Sequence, residues 1–374
     1  MQLVNQAVIL AAGECSRFFP FTRNQHKSTF IIGGKPIIVH TLNTLRQLGI
    51  SKVEIVESPN YSPSLKEILA DNAGGMTINF HTQMSPVGTG NAIIQALPSL
   101  EERFLVIDPQ QININEHLDS LFKHPDFLTD PHNLIFFSKV TNNPGRYGMF
   151  ALDGFRLTKV VEKPTDLTGL SDRRNVGMYL FTKDFVDFMN TQPPTEFQLI
   201  DAINLYLKDH SGYVVDAQET CLTEKYAWDL FGINKFVQNG GFHVSPTAHV
   251  GRDCQIGENV NIEDGCRIDH AILKNCLVGK NTIIESGFIS DSIIGNDCHI
   301  GKNFNTKVKN DTNTPVETVI KNKLVSSGML SFGVLVGDGS RIGDNVVSLP
   351  GSVLAPRSTV DSGSTISPPV VQSL

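Results

Sequence analysis

Residues 7–17 read AVILAAGECSR, an apolar run that passes directly into small residues, and Lys27 follows. The apolar run predicts a buried β-strand. Small residues after it let a ligand approach the backbone closely and offer N–H groups to phosphates. Arg17 and Lys27 add positive charge of the kind that binds a triphosphate. We therefore predict a phosphate-binding loop at the end of the first strand; the alternative is a tight strand–helix turn with two solvated cations.

Around this loop, up to about residue 236, the sequence alternates strands and helices. Apolar runs at 53–56 and 104–107 predict two further buried strands, and residues 37–48 and 91–97 predict helices. The alternation predicts an α/β domain over residues 1–236, with a mostly parallel sheet covered on both faces. Ligands of such sheets bind beyond the carboxyl ends of the strands. We therefore expect the functional site just after the predicted strands.

A different repeat begins near residue 242. Apolar residues recur every six positions from Val244 to Ile268, and the run resumes at Ile272. This period predicts a triangular solenoid, in which one aliphatic side chain per side points inward. We predict it over residues 242–374, with a loop or insertion at 303–327. Four cysteines occupy the small position of the repeat and are interpreted as packing residues: Cys254, Cys266, Cys276 and Cys298.

The composition limits the classes of function. The chain has 374 residues, 40% of them hydrophobic and 18% charged, with a net charge of -7. This length predicts two domains, and the acidic balance argues against a nucleic-acid binder. No apolar run reaches the ~18 residues of a membrane helix, and the N-terminus lacks the basic start of a signal peptide, so we expect a cytoplasmic protein. Six cysteines without CxxC spacing argue against a zinc knuckle.

Further motifs follow the loop in a fixed order. They are Gln83, Gly88-Thr89, Gly148, Glu162-Lys163-Pro164 and Asn175-Val176-Gly177. Together with the loop, this series resembles the sugar-1-phosphate nucleotidylyltransferases. The six-residue repeat resembles the second domain of the bifunctional N-acetylglucosamine-1-phosphate uridylyltransferase/glucosamine-1-phosphate acetyltransferases, in their archaeal-type form. The resemblance covers nearly the whole chain.

The resemblance implies a fold and a reaction. The fold is a Rossmann-like nucleotidyltransferase domain with a mixed, mostly parallel sheet, followed by a left-handed parallel β-helix of hexapeptide repeats. The reaction joins a nucleoside triphosphate to a sugar-1-phosphate and releases pyrophosphate, with Mg²⁺ as cofactor. The Gln83 motif favours UTP or dTTP, and the sugar would be a hexose or an N-acetylhexosamine. The β-helix implies a homo-oligomer, with a trimer favoured.

The resemblance also implies a role for individual residues. Arg17 and Lys27 would neutralise the phosphates and are the catalytic candidates. The nucleotide would be bound by Leu10, Ala11, Ala12, Gly13, Gln83, Gly88 and Thr89. The sugar would be bound by Gly148, Glu162, Lys163 and Asn175.

The first domain departs from the family pattern at two places. Cys15 stands at the second glycine of the loop. Gln110 stands at the position of the metal-binding aspartate, and a neutral amide is a poorer Mg²⁺ ligand than a carboxylate. Asp108, two positions earlier, is then the metal candidate after this strand. The alternative for Asp108 is an ordinary turn at the end of the strand.

A second metal ligand is expected near the end of the first domain. One alignment to the family places Asn234 there, and another places Thr223 there. The alignment that places Thr223 there rests on Trp228-Asp229-Leu230, and Asp229 itself is interpreted as a cap of the following helix.

The second domain departs as well, because Asn310 stands where the bifunctional relatives have a catalytic histidine. Asparagine cannot act as a general base near neutral pH, which argues against acetyl transfer. Three hypotheses remain: an active nucleotidylyltransferase, favoured by the intact motifs; a degenerate member that binds nucleotide or nucleotide sugar and acts as regulator or scaffold; and a solenoid acyltransferase with a vestigial first domain.

Overall fold

The computed structural model describes residues 4–21, 25–70, 72, 74–218 and 222–369. It contains two compact units that interleave along the chain. The first unit holds Met1–Glu14, Asn24–Thr29 and Ile37–Leu222, and the second holds Cys15–Arg23, Phe30–Pro36 and Thr223–Leu374. The contiguous boundaries 1–236 and 242–374 remain a prediction. Cys221, one of the six cysteines, lies outside the described residues.

The first unit alternates strands and helices. Its strands are β1 (Gln6–Ala11), β2 (Lys52–Glu57), β3 (Thr77–Thr82), β4 (Arg103–Ile107), β5 (Leu134–Val140), β6 (Gly148–Asp153), β7 (Arg156–Glu162), β8 (Arg173–Thr182) and β9 (Gly212–Asp216). Its helices are α1 (Ile37–Gln47), α2 (Leu65–Ile68), α3 (Thr89–Gln95), α4 (Ile114–Phe122), α5 (Lys183–Asn190) and α6 (Gln198–Tyr206). The strands and helices predicted from apolar periodicity are present within two residues of their expected limits.

These strands form one mixed, mostly parallel sheet. Its order is β3-β2-β1-β4-β8-β5-β9-β7-β6. Strand β1 pairs in parallel with β2 and β4, whereas β8 runs antiparallel to β4 and β5. One apolar cluster packs α1 and α4 on one face, and a second packs α3, α5 and α6 on the other. A sheet covered on both faces needs strands that are apolar throughout, which explains the continuous run at residues 7–11 and confirms the predicted α/β class.

In its described residues, the second unit contains one α-helix and many short strands. The helix is α7 (Leu230–Gln238), and Ile31–Ile32 forms a small hairpin with Lys35–Pro36. The strands beyond α7 are His243–Val244, His249–Val250, Gln255–Ile256, Asn261–Ile262, Arg267–Ile268, Ala271–Val278, Ile283–Ile284, Gly287–Ile294, His299–Ile300, Phe304–Thr306, Glu317–Ile320, Lys323–Ser326, Val334–Val336, Arg341–Ile342, Val347–Ser348, Ser352–Leu354, Thr359–Val360 and Thr365–Ile366.

These short strands pair in parallel with strands further along the chain, as stacked coils do. His243–Val244 pairs with Asn261–Ile262, and Arg267–Ile268 pairs with Ile283–Ile284. The inward aliphatic residues form one core, and the repeat's cysteines join or contact it. None of the described cysteines forms a disulfide. The left hand of the coils remains a prediction.

The insertion predicted at 303–327 begins later than expected. Phe304–Thr306 pairs in parallel with Gly287–Phe288 and with Val347–Ser348, so it belongs to the stack. Phe304 is fully buried, and its ring takes the inward place that an aliphatic residue holds elsewhere. Beyond it, Glu317–Ile320 and Lys323–Ser326 form an antiparallel hairpin. No helix in the described part of the chain is long and apolar enough to cross a membrane.

Candidate active site

The carboxyl ends of β1 and β4 bring the predicted loop beside Asp108. Ile9 pairs with Ile107 at the end of their parallel ladder, so Leu10 and Asp108 are the next residues in register. Leu10 and Ala11 end β1, and the buried Ala12 follows. Gly13 is exposed, and a Cβ added there would meet no other atom within 4 Å. The loop therefore leaves open space at the strand end, as a phosphate-binding loop requires.

Strand β8 closes the other side of Asp108. It runs antiparallel to β4, and its register places Gly177 beside Asp108. Gly177 has a φ of +75°, and a Cβ added to it would lie 3.3 Å from Asp108 Oδ2. The ladder between β8 and β5 shifts register between Asn175 and Tyr179, which marks an irregularity in this part of the strand.

Asp108 lies in a polarised environment. Burial raises its pKa, while the ammonium of Lys27 and a hydrogen bond from Gln110 oppose that rise. Gln110 Nε2 lies 3.4 Å from Asp108 Oδ2. The other amide atom, Gln110 Oε1, is buried without a hydrogen-bond partner among the described residues. A carboxylate and an amide oxygen without a described partner thus lie at the end of β4, within electrostatic reach of the Lys27 cation.

Lys27 is preceded by a buried histidine that the sequence analysis did not select. His26 Nδ1 lies 3.2 Å from the backbone N of Ser28 and accepts its hydrogen bond. Burial, and then the charge of Lys27, hold the pKa of His26 well below its usual range, so the ring is neutral near pH 7. The ring packs edge-on against Tyr61, whose hydroxyl donates to the carbonyl of Gly13. Tyr61 therefore connects the loop to the segment that carries Lys27.

Gln83 is nearly fully buried at the end of β3. Its Nε2 donates to the carbonyl of Gly88 at 3.1 Å and to Asn91 Oδ1 at 3.0 Å. A carbonyl can only accept, so the Gly88 contact fixes which amide atom is the nitrogen. Both donors are used within the protein, which leaves Gln83 Oε1 as an acceptor for a ligand N–H group.

Gly88 and Thr89 start helix α3. Gly88 precedes the helix with a φ of +101°, and Thr89 is its first residue. A Cβ on Gly88 would lie 2.6 Å from the carbonyl oxygen of Glu196, and one on Gly90 would lie 2.8 Å from the backbone N of Leu199. Both glycines are thus required by packing, a reason that the sequence analysis did not consider.

The first pair of predicted sugar contacts lies where β6 meets β7. Gly148 pairs with Glu162, and a Cβ on Gly148 would lie 2.9 Å from Glu162 Oε2. Lys163 follows with a φ of +43°, and its Nζ lies 3.4 Å from Glu162 Oε1. The missing side chain at Gly148 therefore makes room for the carboxylate of Glu162.

Asn175 and Tyr179 join these residues to Asp108. Asn175 Nδ2 donates to the Tyr179 hydroxyl at 2.7 Å, and the N–H of Gly177 donates to Asn175 Oδ1 at 2.9 Å. Burial is the main cause that raises the pKa of Tyr179, and the charges of Asp108 and Glu162 raise it further. Asp108, Glu162 and Asn175 are thus all close to one phenol, which sequence reasoning missed.

Arg17 and Cys15 group with the second unit rather than with these residues. Cys15 has a φ of +52°, the left-handed conformation in which the family's loop has glycine. Arg17 is exposed, and its guanidinium lies 6.0 Å from the centroid of the Tyr226 ring.

The structure gives the second metal candidate a packing role. Asn234 is fully buried in α7, and its Nδ2 donates to the backbone oxygen and side chain of Asn259. Asn234 therefore offers no exposed oxygen to a metal. Thr223 is exposed, and Asp229 Oδ2 accepts from the backbone N of Lys225 and of Tyr226, so it stabilises the turn before α7.

The metal question therefore concerns Asp108. No group of three or more His, Cys, Asp or Glu side chains in the described ranges could hold a metal ion. Mg²⁺ in enzymes of phosphate substrates is commonly held by one or two carboxylates together with the substrate phosphates. The half-buried carboxylate of Asp108 and Gln110 Oε1, which has no hydrogen-bond partner among the described residues, fit such a site.

The coils of the second unit show no reactive thiol at the three buried repeat cysteines. Burial raises the pKa of Cys266 and Cys298 to about 11 and that of Cys276 to about 12. Such thiols stay protonated at neutral pH and are neither nucleophiles nor metal ligands. Asn310, at the apparent histidine position, is half-buried and bonds to Thr314.

Comparison with protein families identifies the class. A family model described as nucleotidyl transferase matches residues 6–229, and one described as the GMPPB C-terminal domain matches residues 238–371. The first match spans more than half of the chain. The protein belongs to the nucleotidyl transferase family, which confirms the suspected resemblance.

Several curated relatives are similar to this chain. A bifunctional sugar-1-phosphate nucleotidylyltransferase/acetyltransferase of Sulfurisphaera tokodaii is 28% identical, over 70% of this chain and 63% of that protein. A glucose-1-phosphate thymidylyltransferase of Neisseria meningitidis is 27% identical, over 55% of this chain and 72% of that protein. A mannose-1-phosphate guanyltransferase of Debaryomyces hansenii is 26% identical, over 66% of this chain and 73% of that protein. The chain thus spans less than two thirds of the Sulfurisphaera protein.

A solved structure shares the fold. It is a Bacillus anthracis protein assigned as a glucose-1-phosphate thymidylyltransferase, with a TM-score of 0.51 and 18% identity. The match covers 62% of this chain and 94% of that chain.

Proposed function

We propose that this protein is a sugar-1-phosphate nucleotidylyltransferase. It would form a nucleotide sugar and pyrophosphate from UTP or dTTP and a hexose- or N-acetylhexosamine-1-phosphate. The observation that carries the proposal is the position of Asp108 beside the Leu10–Gly13 loop, within electrostatic reach of Lys27. The named relatives carry out reactions of this class on different nucleotides, so the substrate pair is part of the proposal.

In the proposed reaction, a phosphate oxygen of the sugar-1-phosphate attacks the α-phosphorus of the triphosphate. One P–O bond forms, the bond between the α-phosphorus and its bridging oxygen to the β-phosphate breaks, and pyrophosphate leaves. Lys27 neutralises charge on the phosphates, and Arg17 is assigned the same role by its place in the loop sequence. No covalent enzyme intermediate is needed, because positioning and charge neutralisation supply the catalysis.

Mg²⁺ would be held by Asp108 and by phosphate oxygens of the nucleotide, with Gln110 Oε1 as a further oxygen nearby. When bound, it supplies additional positive charge to the phosphates. The half-buried carboxylate of Asp108 supports this assignment, because a metal would compensate a charge that desolvation otherwise disfavours.

Gln83 supports the choice of a base that presents a ring N–H group, as UTP and dTTP do. Its amide donors are both used by Gly88 and Asn91, so the remaining Oε1 can only accept. Uracil and thymine present an N–H group at ring position 3, where cytosine presents an acceptor. A base with an acceptor at that place would face Gln83 Oε1 without a proton between them.

The test is pyrophosphate release with Mg²⁺ over a grid of the common nucleoside triphosphates and several sugar-1-phosphates. We expect turnover with UTP or dTTP. Lys27→Met should reduce turnover at least 100-fold, about the loss expected for removing one preorganised charge contact. Lys123→Met, at an exposed position after α4, is the matched control and should leave turnover unchanged. Wild-type protein without turnover in any cell of the grid would overturn the proposal.

Gln110 favours one second candidate, a degenerate member that binds nucleotide or nucleotide sugar as a regulator or scaffold. The amide of Gln110 stands at the position where the family has the metal-binding carboxylate. The dependence of UTP binding on Mg²⁺ discriminates between the active enzyme and the degenerate binder. For the enzyme, calorimetry should show tighter UTP binding with Mg²⁺ than with EDTA. Equal binding in both conditions, without turnover, would support the binder.

We also propose that the coils form a left-handed β-helix of hexapeptide repeats and that the protein is a trimer through this domain. The parallel pairing of short strands supports the first part. An experimental structure tests the hand of the coils, and sedimentation equilibrium tests the trimer. A monomeric mass at micromolar concentration would overturn the second part.

A further inference from the structure

The catalytic candidate Arg17 has an aromatic partner within its own unit. Its guanidinium carbon lies 6.0 Å from the centroid of the Tyr226 ring. A cation at this distance from an aromatic face is attracted by the quadrupole of the ring. We infer that Tyr226 is a positioning residue, which holds the Arg17 guanidinium in one place for the phosphates of a nucleotide. This inference rests on the proposed role of Arg17 in the reaction.

The ring of Tyr226 is itself held in a stack. It lies 4.5 Å from Trp228 with an angle of 8° between the ring planes. Trp228 is 4% exposed and packs on Phe332, at 5.6 Å between centroids. Phe332 is fully buried among the coils. The aromatic face that meets Arg17 is therefore anchored in the core of the second unit.

The backbone under Tyr226 is fixed as well. Asp229 Oδ2 accepts from the N–H of Lys225 at 2.6 Å and from that of Tyr226 at 2.9 Å. These two bonds hold the turn in which Tyr226 lies, so its ring has little freedom to move away from Trp228. Asp229, considered above as a helix cap, here supports the aromatic stack.

An anchored ring changes what Arg17 can do. A long exposed arginine samples many rotamers, and each binding event must restrict them. A guanidinium that already rests on a ring loses less freedom when phosphates bind, which is the general advantage of preorganisation. Tyr226 thereby contributes to triphosphate binding without touching the triphosphate.

The test is a double-mutant cycle on Arg17 and Tyr226 in the full chain. The probe is inorganic tripolyphosphate, which has no base, and its dissociation constant is measured by calorimetry with Mg²⁺ present. We expect Tyr226→Leu to weaken binding about two- to fivefold, the range of an exposed cation–π contact. Tyr226→Phe keeps the aromatic face and should bind as the wild type does. In the Arg17→Ala background, Tyr226→Leu should have no further effect.

Two further readouts separate positioning from general damage. The thermal midpoint of each variant reports folding, and Tyr226→Met repeats the test if the leucine variant fails to fold. In the active enzyme, Tyr226→Leu should raise the KM for the nucleotide and leave the KM for the sugar-1-phosphate unchanged.

The outcomes distinguish this inference from the proposed function. Pyrophosphate release together with equal effects of Tyr226→Leu in both backgrounds would overturn the inference alone. A coupled cycle without pyrophosphate release would overturn the enzyme and keep the positioning role. Wild-type protein that does not bind tripolyphosphate would overturn the inference, and the grid of substrates would then decide the function by itself.

Trp228 supplies an internal probe for the same test, because it is the only tryptophan of the chain. It stacks on the ring that contacts Arg17, so its emission should change when tripolyphosphate binds. The change should be lost in Arg17→Ala. An emission change that persists in this variant would contradict the proposed contact between Arg17 and the phosphates.

Discussion

Gly177 lies against the carboxylate of Asp108, and it does so in a backbone conformation that side chains avoid. Its φ is +75°, and a Cβ added to it would lie 3.3 Å from Asp108 Oδ2. That distance is tighter than about nine in ten Cβ contacts in real structures. A side chain at position 177 would therefore be strained and would also press on the one carboxylate proposed to hold Mg²⁺.

Gly177→Ala should lower both stability and metal-dependent binding. The left-handed conformation costs a residue with a Cβ about 1–2 kcal/mol, which chemical denaturation would measure as a loss in the free energy of unfolding. The methyl group should also displace Asp108, so calorimetry should show a smaller difference between UTP binding with Mg²⁺ and with EDTA.

Gly154→Ala is the matched control for this variant. Gly154 has a φ of +58°, and a Cβ there would meet no atom within 4 Å. It should lose similar stability and keep its Mg²⁺-dependent binding. An equal loss of binding in both variants would show that strain alone, rather than the contact with Asp108, is responsible.

Cys15→Gly should stabilise the protein modestly. Cys15 holds a φ of +52°, where glycine pays no steric penalty. The relief of about 1–2 kcal/mol is partly offset by the larger entropy that glycine loses on folding, so we expect a net gain of about 0.5–1 kcal/mol. The thermal midpoint measures it. Cys15→Ala keeps the strained conformation and should show no comparable gain; a gain of equal size would refute the strain argument.

Gln83→Leu should weaken the binding of UTP about two- to tenfold, because one hydrogen bond to the base is lost. The binding of CTP should change less, so the preference for UTP over CTP falls. Gln95→Leu is the control, since the side chain of Gln95 bonds to the backbone of Asn91 within α3. An unchanged ratio of the two dissociation constants in Gln83→Leu would contradict the assigned base contact.

Glu263 predicts a pH dependence of stability. Burial raises its pKa to about 7, while a hydrogen bond from Asn261 and the charge of Lys280 oppose the rise and Asp264 adds to it. The folded state thus holds the proton more tightly than the unfolded state does. The contribution of this proton to the free energy of unfolding is fully present below the pKa that Glu263 has in the unfolded chain. It is lost as the pH rises towards 7.

Glu263→Gln removes this titration and should gain stability relative to the wild type as the pH rises. The difference in the free energy of unfolding between variant and wild type should grow by up to about 3 kcal/mol from pH 5 to pH 8. Urea denaturation at several pH values measures it, with Glu258→Gln at an exposed position as control. A difference that stays constant with pH would show that Glu263 does not titrate in this range.

Much of the fold could be predicted from the sequence because its signals are local. The apolar runs of β1, β2 and β4 and the helix α1 follow from periodicity within a few residues. The motifs also named residues that the structure brings together, such as Lys27 and Asp108. The local pattern gave a wrong prediction at Phe304. The six-residue repeat breaks there in the sequence, yet this aromatic residue continues the stack of coils.

The supporting residues could not be predicted in this way. Tyr61 bonds to Gly13, Tyr179 meets Asn175 beside two carboxylates, and Tyr226 lies under Arg17. Each tyrosine is unremarkable in its own stretch of sequence, because neighbours such as Gly13, Asp108 and Arg17 come from other strands or turns. Asn234 is a residue that the sequence selected and the structure uses otherwise. An alignment placed it at a metal-ligand position, but it is buried and hydrogen-bonded to Asn259.

The sequence by itself determined the alternation that builds the sheet, the six-residue repeat of the coils and the order of the motifs, since hydrophobic period and small residues act locally along the chain. The tertiary structure alone decided which polar groups lie close together and which are already engaged in hydrogen bonds within the protein. Strand register set Gly177 against Asp108, and burial set the pKa shifts, because contact and desolvation depend on residues that are distant in sequence.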